Sequence, residues 1–285
     1  MYQFLKNLDR RWVFLLMGLA VAIPILTNLT FPEETSPMVK DIYQAIEDLP
    51  DGSRILMAYD YDPGSMGELQ PMAKAFTRQC AEKNHKLYYM ALWPLGEPMI
   101  DIAGARILME EYPHYKYGED YVNLGFKPGA EAVITVIVTD LPKLFITDQQ
   151  GTSFNDIPMC RNIRNIQQMD LIVSISAGDP GTKQWVQYAG TPYDIPIVAG
   201  VTGVQATQLV AYIPDQLIGL LGAIKGAAEY EQILDDNFPH INDNPDAQEA
   251  KKRMGPQLVG HALMVALIIL GNILYFVGRR RGEER

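Results

Sequence analysis

The sequence contains little cysteine and little histidine. Cys80 and Cys160 are the only two cysteines, and the four histidines are His85, His114, His240 and His261. Two cysteines do not make a disulfide framework, and the sequence leaves open whether they pair. No histidine stands beside either cysteine or follows a predicted strand with a nucleophile. The pattern argues against zinc sites and histidine-based triads, and it favours two small buried thiols.

Common catalytic and nucleotide-binding motifs are also missing. The sequence has no Gly-x-Ser-x-Gly elbow, no Walker loop and no complete Gly-x-Gly-x-x-Gly fingerprint. Each of these motifs places a nucleophile or a phosphate at a defined turn, so each absence removes one class of enzyme. We therefore predict no catalytic residue, no metal site and no cofactor.

Charge is absent from two long apolar runs, residues 12–31 and 258–277. A helix of about 20 residues is about 30 Å long, which matches the thickness of a bilayer core. The first run is longer than the apolar part of a signal peptide, and no small-x-small cleavage pattern follows it. We predict two transmembrane helices, at 12–31 and 257–278, the first of them an uncleaved anchor.

Positive charge flanks both ends of the chain. The N-terminal flank contains Lys6, Arg10 and Arg11, and the C-terminal tail contains Arg279, Arg280, Arg281 and Arg285. Positive flanks stay in the cytoplasm, so segments 1–11 and 279–285 are predicted to be cytoplasmic and the body of the protein extracytoplasmic. The basic residues 251–253, just before the second span, are a contrary signal. They carry less weight because long loops translocate largely regardless of charge.

The middle of the chain is acidic. Residues 32–250 contain 31 Asp and Glu against 14 Lys and Arg, a net charge of −17. Such a domain is repelled by phosphate backbones, which makes nucleic acid a poor partner. The two apolar runs instead predict the lipid bilayer and homo- or hetero-oligomeric membrane proteins as partners.

Short apolar runs alternate with helical segments throughout this middle part. The predicted strands are 54–61, 86–93, 121–126, 171–177 and 195–201. The predicted helices are 39–49, 65–84, 97–111, 130–145, 159–168, 183–189 and 215–234. This alternation is typical of parallel crossover units. We predict a Rossmann-like, mostly parallel α/β domain over 32–234, followed by a polar linker over 235–256.

Polar and small residues follow several of the predicted strands. In an open parallel sheet, ligands bind beyond the carboxyl ends of the strands. The candidate ligand-binding residues are Asp60, Asp62, Ser65, Asp179, Thr182 and Thr202. Ordinary turns and helix caps use the same residue types, so a structural explanation stays open. Paired carboxylates also suit a divalent cation, but no third clear ligand is evident.

The Asp60-x-Asp62 pair after an apolar strand resembles the first motif of haloacid-dehalogenase-type phosphatases. In that family one Asp is the nucleophile and the other the acid or base. Gly64 stands where the family usually has Thr or Val, and no paired Asp follows at a suitable spacing. The family is therefore not assigned.

Small residues recur every three or four positions in the segment 215–234. Gly219, Gly222, Ala223 and Gly226 form a smooth stripe if the segment is helical. Such a stripe permits close backbone approach, either to the domain's own sheet or to another subunit. We interpret these four residues as a candidate interface.

Two functions fit these features. The first is a non-enzymatic, membrane-anchored domain that serves as a structural or interaction subunit of an envelope membrane complex. The alternative is an extracytoplasmic sensor or enzyme that binds a small ligand or divalent cation at the strand ends. The sequence favours the first, because it has two anchors and lacks catalytic motifs.

Overall fold

The computed structural model describes residues 9–280 and divides the chain into two compact units. One unit is the α/β domain, Glu33–Ala250. The other consists of the described residues before Glu33 and after Ala250. The α/β domain therefore extends beyond the predicted boundary at residue 234 and includes most of the segment predicted as a linker.

The α/β domain is built on a six-stranded sheet in which all neighbouring strands are parallel. The strands are β1 (Arg54–Asp60), β2 (Lys86–Ala91), β3 (Tyr121–Phe126), β4 (Leu171–Ser176), β5 (Ile197–Val201) and β6 (Gly219–Gly222). Their spatial order is β3-β2-β1-β4-β5-β6. The predicted α/β class with a parallel sheet is confirmed.

Helices lie in every connection between strands, as a parallel sheet requires, and further helices precede β1 and follow β6. They are α1 (Arg10–Thr27), α2 (Pro37–Glu47), α3 (Met66–Glu82), α4 (Gly96–Ile100), α5 (Arg106–Glu111), α6 (Glu131–Ile137), α7 (Leu141–Leu144), α8 (Thr182–Trp185), α9 (Thr191–Tyr193), α10 (Gly203–Leu209), α11 (Ala223–Asn237) and α12 (Glu249–Arg280). The π-helical turns Asp101–Ala105 and Val186–Gly190 join α4 to α5 and α8 to α9.

Both faces of the sheet are covered. Leu56 and Ala58 of β1 point to one face, where they join a core cluster with Ile134 of α6 and Trp185 of α8. Tyr59, the next residue after Ala58, points to the other face, where its hydroxyl donates to the Ala73 carbonyl of α3 at 3.2 Å. Side chains of successive strand residues point to opposite faces, so burial on both sides explains the continuous apolar runs.

The predicted helix 215–234 is wrong over its first part. Residues Gly219–Gly222 form the edge strand β6, and Leu220 pairs with Ala199 of β5. Helix α11 begins only at Ala223, whose φ of 54° lies in the left-handed region and interrupts a regular helix. The stripe of small residues is therefore divided between a strand and a helix.

Two shorter segments also differ from the prediction. The predicted helix 159–168 is a turn followed by the 3₁₀ turn Ile166–Gln168. Asn165 accepts the Gln167 backbone N–H at 3.2 Å, and such local bonds compete with a regular helix. Helix α10 and strand β6 have no counterpart in the sequence prediction.

The second unit contains two helices that are long and apolar enough to cross a membrane, α1 and α12. Their apolar side chains lie open, with Leu26 80% and Ile268 57% exposed. Helix α12 approaches α1 and the residues that follow it, since a Cβ on Gly260 would lie 3.6 Å from Val21 Cγ2 and one on Gly255 would overlap the Leu29 carbonyl oxygen. A bilayer would cover such surfaces, which is consistent with membrane association.

Candidate functional site

The candidate site is the carboxyl edge of the sheet at the β1–β4 pair. Strands β2 and β3 lie in turn on the outer side of β1, and strands β5 and β6 lie in turn on the outer side of β4. The strand order thus reverses between these two central strands, where open α/β sheets usually leave a ligand-binding crevice. Their last residues, Asp60 and Ser176, lie side by side in register.

Asp60 is fully buried at this point. Its Oδ1 accepts the Leu92 backbone N–H at 2.7 Å, and its Oδ2 accepts the Trp185 indole N–H at 2.9 Å. Burial raises the pKa of the carboxyl group to about 7, although both hydrogen bonds act in the opposite direction. Asp60 therefore joins the ends of β1 and β2 to α8.

Asp62 has a separate role from Asp60. Its Oδ1 accepts both the backbone N–H and the hydroxyl of Ser65, each at 3.1 Å. These bonds cap the 3₁₀ turn Pro63–Ser65, and both residues are partly exposed. The two aspartates therefore have different roles: Asp60 links buried elements, and Asp62 caps a turn at the surface.

Hydroxyl groups fill the space beyond β4. Ser176 Oγ accepts the Thr182 backbone N–H at 3.1 Å and donates to Gln205 Oε1 at 3.0 Å. The Thr182 hydroxyl lies 2.9 Å from the hydroxyl groups of both Ser174 and Ser176. All four side chains are buried. The predicted site residue Thr182 is therefore part of an internal network.

The loops after β2 and β4 are tied together above this network. The Trp93 indole N–H donates to the Pro180 carbonyl at 2.7 Å, and a Cβ on Gly178 would lie 3.3 Å from the Trp93 ring. Asp179, between these contacts, is exposed. The Trp93 indole thus links the two loops beside the point between β1 and β4 where the strand order reverses.

Glutamates cap the ends of two further strands, β5 and β3. Glu68 of α3 accepts the Gly203 backbone N–H at 2.9 Å at the start of α10, where the side chain of the N-cap residue Thr202 makes no capping bond. Glu97 accepts the Phe126 backbone N–H at 3.2 Å at the end of β3.

Backbone N–H groups at strand ends are the groups that bind phosphate in nucleotide-binding sheets. Here such groups after β1, β2, β3 and β5 bond to the carboxylates of Asp62, Asp60, Glu97 and Glu68. After β4, the Gly181 N–H bonds to Gln184 Oε1 and the Thr182 N–H to Ser176 Oγ. The edge is closed by the chain's own side chains, and its carboxylates disfavour an anionic ligand.

Several of these residues escape sequence reasoning. Glu68 and Glu97 are ordinary first-turn acidic residues in sequence, and Trp93, Trp185 and Gln205 have no motif around them. Their roles depend on partners up to 135 positions away along the chain. Within residues 9–280, no group of three or more His, Cys, Asp or Glu side chains is arranged to hold a metal ion.

The candidate interface residues lie near a groove of about 370 Å³ at the β6 edge of the sheet. Gly222 and Gly226 line the groove, together with Ser36, Met38, Val39, Ala206, Thr207, Val210, Leu220, Lys225 and Glu229. Val210 is 56% exposed there.

The other two interface candidates make contacts inside the domain. A Cβ on Gly219 would lie 2.9 Å from Ile42 Cγ1 of α2, and the Ala223 Cβ lies near Gly203. Gly219 and Gly226 are buried, whereas Gly222 and Ala223 are partly exposed, and Gly222 is the one of the four that is both partly exposed and part of the groove wall.

A polar cavity of about 400 Å³ lies at the opposite, amino-terminal edge of the sheet. Glu82 at the end of α3 accepts the Tyr112 hydroxyl at 2.8 Å, and its Oε1 also lies 2.8 Å from His240 Nε2. Glu111, on the cavity wall, forms a two-pronged pair with the buried guanidinium of Arg78. These contacts join α3, α5 and the segment after α11.

Comparison with known protein families, curated proteins and solved structures finds no match for this chain.

Proposed function

We propose that the chain is a non-enzymatic, membrane-anchored α/β domain that acts as an interaction subunit of an envelope membrane complex. The sheet follows the strand order of dinucleotide-binding folds, so the proposal includes a Rossmann-like architecture for the domain. The single observation that carries it is the closed carboxyl edge, where the chain's own side chains occupy the usual phosphate-binding groups.

The proposed topology has both termini in the cytoplasm and the α/β domain outside it. Arg10 and Arg11 begin α1, and Arg279 and Arg280 end α12, so both apolar helices have positive charge at the proposed cytoplasmic end. The further basic residues Lys6, Arg281 and Arg285 lie outside the described residues.

Cysteine labelling tests this topology. Cys80 and Cys160 are both buried, so they give little background with a membrane-impermeant maleimide. Asp179→Cys places a thiol at an exposed loop, and Arg280→Cys places one at the proposed cytoplasmic end of α12. We expect cells with a permeabilised outer layer and an intact inner membrane to be labelled at position 179 only. Labelling at position 280 only would reverse the topology.

The proposed contact surface is the groove at the β6 edge. Its wall is largely apolar: Met38, Val39, Val210 and Leu220 contribute side chains, and Gly222 leaves its backbone partly exposed. Apolar surfaces with a polar border are common at protein interfaces, and glycine allows close approach. The proposed occupant is a membrane-protein partner, either a second copy or a different chain.

A charge placed in the groove tests this surface. Val210→Arg introduces a cation into the apolar wall without filling the domain core, because Val210 is already more than half exposed. Ile146→Arg is the matched control, since Ile146 is 73% exposed and lies three residues before Gln149, whose backbone N–H donates to the Asn123 carbonyl of β3 at the other edge of the sheet. After mild detergent extraction, Val210→Arg is expected to elute as a smaller particle than the wild type, and Ile146→Arg to match the wild type. Identical elution of all three proteins would remove the groove from the interface.

A further inference from the structure

The first residues of the second apolar helix are part of the α/β domain. Helix α12 runs without interruption from Glu249 to Arg280, yet Glu249 and Ala250 belong to the compact unit that contains the sheet. Ala247 and Ala250 are 3% and 0% exposed. The segment before the membrane helix is therefore packed into the domain, where the sequence suggests a polar linker.

A buried lysine is the main polar contact of this segment. Lys74, in the middle of α3, is 7% exposed, and its Nζ lies 2.5 Å from Asp246 Oδ2 and 3.1 Å from Glu249 Oε2. Lysine is rarely buried unless it is paired, and loss of one partner from a buried pair is strongly destabilising. The two carboxylates therefore hold Lys74 in place, and Lys74 holds the segment.

A second contact comes from α11. Glu231, 2% exposed, accepts the Ala250 backbone N–H at 2.9 Å. The first turn of a helix has backbone N–H groups without a partner inside the helix, so an outside acceptor fixes the place where α12 begins. Together, α3 and α11 hold the start of α12 from two sides.

Spare hydrogen-bonding groups lie close to this contact. Gln70 is one helical turn before Lys74 on α3. Burial raises the pKa of Tyr61, and the nearby Tyr59 hydroxyl and Glu249 carboxylate add to the rise. In the part of the chain that the structure describes, the buried Tyr61 hydroxyl and Gln70 Oε1 have no hydrogen-bond partner. Because buried polar groups are nearly always satisfied, these atoms offer partners for a second arrangement of the segment.

We propose that Lys74, Asp246 and Glu249 form a latch that holds the start of α12 in the α/β domain and can open without unfolding the sheet. In the closed state, residues 245–250 are packed against α3 and α11. In the open state, they are a flexible connection between the domain and α12. The latch provides a defined route by which a displacement of α12 changes the packing of α3 and α11.

Limited trypsin digestion of the full chain in detergent tests the latch, because Lys251, Lys252 and Arg253 follow it directly. We expect Lys74→Met to raise the cleavage rate at 251–253 by about tenfold, since the segment loses its buried cation while Asp246, whose side chain is 58% exposed, stays solvated. Lys74→Arg keeps the charge and is expected to cleave nearly as slowly as the wild type. Lys83→Met is the matched control, because Lys83 directly follows α3 and its side chain, paired with Glu47, is 23% exposed against 9% for Lys74.

Hydrogen exchange separates opening of the latch from unfolding of the domain. In Lys74→Met, the amide of Ala250 should lose its protection, while amides of β1 and β4 keep theirs. If Lys74→Met does not fold, the double variant Asp246→Asn/Glu249→Gln removes the carboxylates from the segment side and is expected to give the same pattern. Unchanged cleavage and unchanged Ala250 protection in a folded variant, or equal loss of protection across the whole sheet, would overturn the proposal.

Discussion

Asp60→Asn is the substitution that reports most directly on the closed carboxyl edge. The aspartate presents both carboxylate oxygens to donors, the Leu92 backbone N–H and the Trp185 indole N–H, in a fully buried position. Asparagine has nearly the same shape, but its amide NH₂ must face one of these two donors. The variant therefore loses one hydrogen bond and also removes a titrating group from the core.

The size of the pH effect follows from the pKa of Asp60. Burial raises this pKa from its ordinary value of 3.8 to about 7, and at about 1.36 kcal/mol per pH unit the difference corresponds to about 4 kcal/mol. Between these two values the folded protein binds a proton that the unfolded chain does not bind. The free energy of unfolding is therefore highest below the lower value, falls as the pH rises towards about 7, and stays low above it.

Urea unfolding of the full chain in detergent, followed by tryptophan fluorescence, measures this effect. From about pH 5.5 to about pH 8.5, the wild type is expected to lose about 2 kcal/mol relative to Asp60→Asn, because only the upper part of the titration falls in this range. Trp185→Phe keeps the Asp60 carboxyl group and removes one hydrogen bond that lowers its pKa. The fall in the free energy of unfolding should therefore occur at higher pH in this variant. If the difference in the free energy of unfolding between the wild type and Asp60→Asn did not change with pH, the interpretation of Asp60 as a buried, titrating carboxyl group would be refuted.

Two further predictions concern the same edge. Ser176→Ala should lower the free energy of unfolding by about 2 kcal/mol, because it leaves the Thr182 N–H and Gln205 without their partner, and urea titration at one pH measures this. Added Mg²⁺ or Ca²⁺ should leave the melting temperature unchanged in both the wild type and Asp62→Asn, because the Asp62 carboxylate caps its own turn. A rise with the cation in the wild type that disappears in Asp62→Asn would instead support the ligand-binding alternative.

The sheet is largely predictable because its strands are apolar and its connections helical. Five of the six strands stand out as short apolar runs, and LIVSIS of β4 is buried at every position. Strand β6 is not recognisable in this way, because glycine has low strand propensity and the following residues have helical spacing. Only the open hydrogen-bonding edge of β5 makes Gly219–Gly222 a strand.

The candidate site shows what local sequence cannot specify. The pattern Asp60-x-Asp62 correctly marks the end of a strand, and turn chemistry accounts for Asp62 and Ser65. Burial of Asp60 depends on Trp185, 125 residues away. Lys74 likewise meets its partners 172 and 175 residues later in the chain, so its pairing is decided by tertiary packing.

The mass of the gently extracted wild-type particle is the most direct test of the proposed subunit role. The chain alone has a mass of 31.9 kDa. Native mass spectrometry after detergent removal in the gas phase is expected to show a discrete assembly heavier than one chain, made of several copies or of this chain with other membrane proteins. A homogeneous species at the mass of a single chain, obtained across several mild detergents, would contradict the account.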